Sequence, residues 1–320
     1  MTTPHARSAS CVPFLGVGSW KLGIDGVLVI DKPSGPTSHD VVARVRRALK
    51  TKRIGHTGTL DPLATGVLPL VIGRATRLAS LLSSDRKSYE AAVRLGCATE
   101  SYDASERLAA GLAPPPAPDV TPKQVEATLD RFRGTYLQAP PAYSAKKIGG
   151  VAAHRLARRD KPVQPASVTV TVHELSLIGM SDGLVRLRLT SSAGFYVRSL
   201  AHELGAALGC GAHLEALRRT AAGEFTVGQA VPLDVIETEG ERAGSRLIPL
   251  EQMLPAMPSV RLNERAAGRV SHGNPVTLAE CGDLVGVSAG KFRLLDPAGC
   301  LLAIANATPD GLLRPYVVLV

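Results

Sequence analysis

The feature that most constrains the fold is an irregular alternation of strand-like and helix-like segments along the chain. Gly26-Val-Leu-Val-Ile-Asp31 is a short apolar run bounded by turn residues, which is typical of a buried strand. Further strands are predicted at 89–95, at 168–175 and at 185–189, where apolar residues alternate with arginines. Helical segments lie between them without a regular strand–helix repeat. This order favours a mixed α+β architecture over a doubly wound parallel sheet.

Three helices can be placed from their ends and their apolar spacing. One is predicted from Ser38, as the N-cap, to about Lys50, because valine and leucine recur there at helical spacing. Another starts after Thr121, where a proline at the first helical position and a following glutamine complete a capping box. A third passes through 200–208 and ends at Gly209.

Length and a change in composition divide the chain into parts. With 320 residues the chain is long enough for about two domains. From Pro258 to Val320 short apolar segments alternate with Gly, Pro, Asn and Asp, which indicates a small β-rich domain. Residues 1–23 are interpreted as a loose extension, since their apolar core, 11–17, is too short and interrupted for a signal peptide. No apolar run approaches the roughly 20 residues of a membrane-spanning helix.

The charge of the chain indicates an anionic partner. It carries 37 Lys and Arg against 28 Asp and Glu, a formal net charge of +9. Such an excess favours nucleic acid or an anionic membrane surface. The basic residues fall into three groups: Arg44, Arg46, Arg47, Lys50, Lys52 and Arg53; Lys146, Lys147, Arg155, Arg158, Arg159 and Lys161; and Arg218 with Arg219. Each group is either a solvated surface or a set of phosphate contacts.

Five cysteines are scattered along the chain without a C-x-x-C pair: Cys11, Cys97, Cys210, Cys281 and Cys300. An odd number of distant cysteines predicts reduced thiols in the cytoplasm rather than a disulfide framework. Cys210 and His213 alone are two ligands short of a zinc site, so no metal is predicted.

The segment from Arg53 to Gly66, RIGHTGTLDPLATG, carries the clearest indication of chemistry. Its close glycines predict a sharply bent loop, and Asp61 stands between Leu60 and Pro62 in a turn that restricts its backbone. A carboxylate held in a rigid loop can act as a nucleophile or a base. An Asp-Pro pair in a turn can equally be structural. A phosphate-binding loop is excluded, because no Gly-Lys-Ser/Thr follows the glycines.

The same segment resembles the catalytic loop of the TruB family, the bacterial tRNA pseudouridine-55 synthases. Four other segments resemble motifs of that family in the family's order: 31–38 (DKPSGPTS), 87–91 (KSYEA), 140–147 (PPAYSAKK) and 194–200 (GFYVRSL). The similarity covers roughly residues 24–250. It implies a pseudouridine-synthase fold in 24–255, with a mixed, largely antiparallel sheet flanked by helices and loops. It also implies an RNA-gripping insertion at about 135–165 and a small PUA-like RNA-binding domain at 258–320.

The resemblance implies roles for individual residues. Asp61 would act on the target nucleotide, and Arg198 would form a salt bridge that orients its carboxylate. Tyr89 would stack on the extruded uracil, although on pattern alone it would be a core residue. Four further residues would complete the substrate site: Tyr196, Leu217, His56 and Lys32. Six would contact the RNA backbone: Lys146, Lys147, Arg158, Arg159, Arg218 and Arg219.

The activity implied is isomerisation of uridine to pseudouridine in the T-loop of tRNA, at position 55. The target base leaves its stack and enters a pocket, where its bond to the sugar moves from N1 to C5. Redox chemistry and group transfer are not needed, so no cofactor is expected. Asp61 could attack the sugar, attack the uracil ring or remove a sugar proton.

The resemblance also bears on partners and leaves two alternatives. The expected partner is the tRNA T-stem-loop, with no membrane and no obligate protein partner, and the chain is expected to be a monomer. One alternative is a pseudouridine synthase acting on another RNA, including the guide-dependent relatives. Another is a tRNA-folding chaperone. Since all the proposed chemical groups lie before 218, removal of 258–320 is expected to leave the active site intact.

Overall fold

The computed structural model describes residues 24–83, 86–143, 147–148, 151–152, 165–277, 280 and 290–320. Several predictions fall on residues outside these ranges: the loose extension 1–23, most of the RNA-gripping insertion, and Lys146, Arg158 and Arg159. The backbone of Lys147 is described, but its side chain is not.

The described residues form seventeen strands and seven helices. The strands are β1 Gly26–Lys32, β2 Ile54–His56, β3 Thr65–Ile72, β4 Lys87–Leu95, β5 Gly134–Gln138, β6 Lys147–Ile148, β7 Val151–Ala152, β8 Val168–Ser181, β9 Leu184–Ser191, β10 Ala212–Ala222, β11 Phe225–Thr226, β12 Val231–Pro232, β13 Ser259–Arg261, β14 Val276–Thr277, β15 Lys291–Leu295, β16 Leu301–Ala307 and β17 Leu312–Val318. The helices are α1 Ser38–Ala48, α2 Ala79–Ser83, α3 Ser105–Ala109, α4 Pro122–Leu129, α5 Val197–Ala207, α6 Leu233–Glu239 and α7 Glu264–Ser271.

One large sheet organises the first part of the chain. Its strand order is β12-β1-β3-β10-β4-β9-β8-β5, with β2 paired to β3 and β11 paired to β10. The pairs β1–β12 and β3–β10 are parallel, and the other pairs are antiparallel. The prediction of a mixed, largely antiparallel sheet within an α+β fold is confirmed.

The helix starts confirm one predicted cap and correct another. Thr121 caps α4, with Gln124 completing the capping box as predicted. Helix α1 is capped by Thr37, whose side chain and that of Asp40 form a reciprocal capping box. The prediction of Ser38 as the N-cap is therefore wrong. Its hydroxyl is buried and bonds to a loop instead, which frees the preceding threonine for capping.

The two faces of the sheet bury different partners, because successive side chains of a strand point to opposite faces. Leu28 and Ile30 of β1 belong to the main core, which also contains apolar residues of α1, α5 and α6. Val27 and Val29 belong to a second cluster that includes Leu301 of β16. The reverse face of the sheet is thus covered by the C-terminal strands.

The C-terminal strands form a separate five-stranded sheet in the order β13-β15-β16-β17-β14. It has its own cluster of buried apolar residues, including Val260, Phe292 and Leu313. This confirms the β-rich character predicted for the end of the chain. The division at 255–258 into two domains remains a prediction.

Two further findings concern the cysteines and the lengths of the helices. Cys97 and Cys210 are free thiols, but Cys300 is disulfide-bonded, and its partner is not among the described residues. The prediction of reduced thiols throughout is therefore wrong for Cys300, because distance along the sequence says little about distance in the fold. Within the described parts of the chain, no helix is long and apolar enough to span a membrane.

Candidate active site

The loop 57–64 joins β2 to β3 and carries Asp61. Lys32, which is 0% exposed, donates from Nζ to the carbonyl oxygens of Pro62 (3.2 Å) and Ala64 (2.7 Å). On the other side, the Ser38 hydroxyl accepts from the Leu60 N–H at 2.9 Å and donates to the Leu60 carbonyl at 3.1 Å. Asp61 is therefore held between two buried anchors.

Burial shifts the pKa of the first anchor, Lys32, towards neutral pH. It lowers the pKa of Lys32 to about 8, although the negative charge of Asp61 acts in the opposite direction. A protonated ammonium has three donors, and here they reach three carbonyl oxygens, the third being that of Pro33 at 2.9 Å. Lys32 thus supports the loop that carries Asp61, and it does not line the cavity beside that residue. Its predicted place in the substrate site stays a prediction.

Arg198 meets the carboxylate of Asp61 with two nitrogens. Its Nε lies 2.9 Å from Oδ2, and its Nη2 donates to Oδ1 at 3.1 Å. Nη1 donates to the carbonyl of Ser101 at 3.0 Å and lies 3.9 Å from the carboxylate of Asp103. Arg198 is in the first turn of α5, just after Tyr196, so the start of that helix fixes its direction. The predicted salt bridge is present, and the Asp61 side chain is still 38% exposed.

A cavity of about 650 Å³ opens beside Asp61. Tyr89, Tyr196 and Leu217 line it, as predicted, together with Phe195. Burial raises the pKa of the Tyr89 hydroxyl, so it remains protonated at neutral pH. An aromatic and apolar wall facing one carboxylate suits a flat, extruded base.

The two neighbouring arginines of β10 have different environments. Arg218 is partly exposed and forms an ion pair with Asp31, at 2.8 Å and 3.0 Å. Arg219 is only 1% exposed and donates from Nε to the Val67 carbonyl at 2.7 Å and from Nη2 to the Gly58 carbonyl at 3.1 Å. A contact of Arg219 with the RNA backbone does not match this burial. Its side chain lies on the cavity side of the strand, where neighbouring positions alternate between faces.

His56 ends β2, close to the catalytic loop. Burial, then the charges of His39 and Arg219, lower the pKa of His56, so its ring is neutral at neutral pH. The ring packs edge-on against His39, with 5.5 Å between centroids, and its Nδ1 has no hydrogen-bond partner among the described residues. It does not line the main cavity, so the structure places it beside the site rather than in it.

Three residues that shape the site escaped sequence reasoning. Lys87 lines the cavity. It lies two residues before Tyr89 in the same motif, but no role was predicted for it. Gln138 is fully buried and bonds both the N–H and the carbonyl of Tyr196. Gly66 has φ +98°, and a Cβ there would lie 2.2 Å from the Arg219 carbonyl, so only glycine lets β3 approach β10. The available signal for Gly66 was its place as the last glycine of the segment 53–66.

Comparison with known proteins identifies the family. The model described as the N-terminal domain of TruB family pseudouridylate synthase matches residues 46–197. Two models for C-terminal parts of tRNA pseudouridylate synthase B and of TruB match 198–255 and 258–319. The tRNA pseudouridine synthase B of Solibacter usitatus is 45% identical over 304 residues, covering 92% of this chain and 100% of that protein. The chain belongs to the TruB family.

Further comparisons agree with this membership. The tRNA pseudouridine synthase B of Thermobifida fusca is 43% identical over 303 residues, covering 92% of this chain and 98% of that protein. Among solved structures, a Cbf5-Nop10-Gar1 complex matches with a TM-score of 0.71 at 27% identity, covering 93% of this chain and 86% of that one. An H/ACA RNP bound to a substrate RNA containing 2′-deoxyuridine matches with a TM-score of 0.70 at 25% identity and the same coverage. The pseudouridine-synthase fold expected from the sequence is confirmed.

Proposed function

We propose that this TruB family member isomerises uridine to pseudouridine at position 55 in the T-loop of tRNA, with Asp61 as the catalytic carboxylate. The observation that carries the proposal is the ion pair of Asp61 and Arg198 at the edge of an aromatic-lined cavity. The relatives that share 43–45% identity with the chain are named tRNA pseudouridine synthase B.

The reaction requires few groups beyond the carboxylate of Asp61 and the cavity beside it. The N1–C1′ bond of the uridine breaks, the uracil turns, and C5 bonds to the same C1′ while the C5 proton is lost and N1 gains one. Asp61 can serve by attacking the sugar, by attacking the ring or by removing a sugar proton. Each route needs a carboxylate whose two oxygens are held in fixed directions, which Arg198 and the anchored loop supply.

The residues of the proposed site have different roles. Tyr89 and Tyr196 receive the base, Leu217 closes the apolar side, and Lys32 supports the loop. His56 acts at the rim of the site, next to the RNA. Backbone contacts are proposed for Arg218, which reaches the surface, and for four basic residues whose side chains are not described: Lys146, Lys147, Arg158 and Arg159. We propose that the chain works as a monomer in the cytoplasm without an obligate protein partner.

Guide-dependent synthesis on another RNA is the second candidate. The solved H/ACA complexes favour it at the level of the fold, at 25–27% identity. The higher identity to relatives named tRNA pseudouridine synthase B favours tRNA. A tRNA-folding role remains compatible with the same binding surface.

The test is to incubate the purified protein with an unmodified tRNA transcript in the presence of a metal chelator and to map every pseudouridine formed. Conversion of one uridine, the T-loop uridine at position 55, is expected. A transcript with cytidine at that position is the matched control and should gain no pseudouridine. Modification elsewhere, or none without a guide RNA, would contradict the proposal.

A further inference from the structure

Arg219 is the largest side chain that is fully buried in the described structure. Its hydrogen-bond acceptors are neutral: the carbonyls of Val67, Gly58 and Thr59 and the hydroxyl of Tyr89. Arg198 and Arg218 are different, because each forms an ion pair with a carboxylate, that of Asp61 or of Asp31. Among the described residues, no carboxylate pairs with Arg219.

An unpaired buried charge is costly to fold, because desolvation is not offset by an opposite charge. Four hydrogen bonds to neutral oxygens can hold a loop, but an uncharged donor would do so without this cost. Burial lowers the pKa of Arg219, which is the physical sign of the same penalty. The charge is therefore expected to serve an anion that the free protein lacks.

Tyr89 connects that charge to the cavity. Its hydroxyl oxygen accepts from Arg219, so its own proton is free to point elsewhere, and its ring lines the cavity next to Asp61. A phenol whose oxygen accepts from a cation is a stronger donor through its O–H, because hydrogen bonds in a chain polarise one another. The Tyr89 hydroxyl can therefore link the guanidinium of Arg219, through hydrogen bonds, to a base inside the cavity.

The reaction creates an anion at this place. When the N1–C1′ bond breaks, its electron pair leaves with the uracil, whose ring then carries a negative charge. The charge disappears when C5 supplies the electron pair for the new bond to C1′, the C5 proton departs and N1 is protonated. The detached ring must be stabilised, and kept from escaping, only between these two steps.

We propose that Arg219 is a positioning residue whose buried charge, acting through the Tyr89 hydroxyl, stabilises the detached uracil while it turns. The proposal rests on the proposed function. It assigns the buried charge of Arg219 to the detached uracil, whereas Arg198 orients the carboxylate of Asp61.

The test compares leaving groups in single-turnover experiments with T-stem-loop RNA. Fluorine at C5 withdraws electrons and stabilises the uracil anion, so RNA with 5-fluorouridine at the target needs the cation less. Loss of the target's N1–C1′ bond is the measured step for both RNAs. Arg219→Gln should slow this step about a hundredfold with uridine. With 5-fluorouridine the loss should be at least roughly tenfold smaller. Arg246→Gln, which alters an exposed arginine that does not line the cavity, is the control and should leave both rates unchanged.

Two further experiments distinguish an effect of the Arg219 charge from a structural effect of the Arg219 side chain. In a Tyr89→Phe background, Arg219→Gln should add little further loss, since the path through the hydroxyl is already absent. Arg219→Lys keeps the charge but makes it titratable, because a buried lysine has a lowered pKa. Its rate should therefore fall as the pH rises through that pKa, more steeply with uridine than with 5-fluorouridine. This second variant decides the matter if Arg219→Gln does not fold.

The outcomes are distinct. Equal losses with the two RNAs, or additive losses with Tyr89→Phe, would overturn the role of Arg219 and leave the proposed function standing. An Arg219→Lys profile with the same pH dependence for both RNAs would do the same. Failure of the wild-type protein to convert the T-loop uridine would overturn the proposed function and this inference with it.

Discussion

The two faces of strands β1 and β3 are stabilised in different ways. On the catalytic side, the loop that carries Asp61 is held by buried cations and a hydroxyl, each bonded to named carbonyl or amide groups. On the reverse side, aliphatic side chains pack against the C-terminal sheet. Directional polar contacts fix geometry, whereas apolar contact area supplies stability without fixing it. The face that carries the Asp61 loop therefore combines directional polar contacts with the main core, whereas the reverse face is held mainly by apolar contact area.

The interface on the reverse side combines an apolar centre with polar contacts from arginines. Leu301, Ile304 and Leu319 are buried together with valines of β1 and β3. Two arginines after β3, Arg74 and Arg77, donate to the carbonyls of Leu319 and Val318 at the end of the chain. The C-terminal sheet is thus part of the support of the catalytic strands.

The largest effect is expected from removing the C-terminal sheet. A chain ending at Ala256 loses three buried aliphatic side chains from the reverse face, roughly 5–9 kcal/mol of burial. This is comparable to the whole free energy of unfolding of many domains. We therefore expect the cooperative thermal transition to be lost, in place of the tolerated truncation that the sequence alone favours.

A milder variant sharpens that test. Leu319→Ala in the full chain should lower the free energy of unfolding by about 2–5 kcal/mol. It should modify a T-stem-loop normally below its melting temperature, since Leu319 is remote from the cavity. A chain ending at Ala256 that melts cooperatively and modifies the stem-loop at the wild-type rate would break the comparison.

A smaller effect, on activity rather than folding, is expected from the anchor beneath the loop. Because the pKa of Lys32 is lowered to about 8, raising the pH through that value removes its charge and one N–H donor. The single-turnover rate should therefore fall above pH 8. Lys32→Met should be about a hundredfold slower at neutral pH, without that pH dependence.

The control is Lys123→Met, which alters an exposed lysine of α4 and should change neither the rate nor the profile. If Lys32→Met retained the wild-type rate, the loop would not depend on its cationic anchor. If it kept the fall above pH 8, another group would be responsible for the titration.

The smallest effect is expected from Ser38→Ala. It removes both hydrogen bonds to Leu60 and leaves a buried N–H without its partner, which should lower the free energy of unfolding by about 1–3 kcal/mol. Ser245→Ala, at an exposed serine, is the matched control. Denaturant titration measures both. A value for Ser38→Ala no larger than the control would show that water replaces its contacts.

The sequence predicted those features that depend on local pattern or on whole motifs. Alternation and caps located four of the seventeen described strands, β1, β4, β8 and β9, and the start of α4. Five ordered motifs indicated the fold and the pairing of Asp61 with Arg198. Burial of charged residues was not predictable in this way. Arg219 and its neighbour Arg218 look alike in sequence, and only the register of β10 against β3 and β4 sends one inward.

Contacts between segments that are distant in the sequence explain the other features that were not predicted. Ser38 was predicted to cap a helix, but its hydroxyl donates instead to the carbonyl of Leu60, 22 residues further along the chain. The packing of Leu319 on the reverse face likewise joins segments that no local pattern connects. Such contacts are fixed by tertiary packing, which overrides local preference.

The central claim is that the carboxylate of Asp61 performs chemistry and is dispensable for binding. It is tested most directly by measuring pseudouridine formation and tRNA affinity side by side for Asp61→Asn, which keeps the shape of the side chain. We predict no pseudouridine in the time the wild-type protein needs for complete conversion, with a Kd within about tenfold of the wild-type value. Turnover near the wild-type rate would contradict the assignment of Asp61.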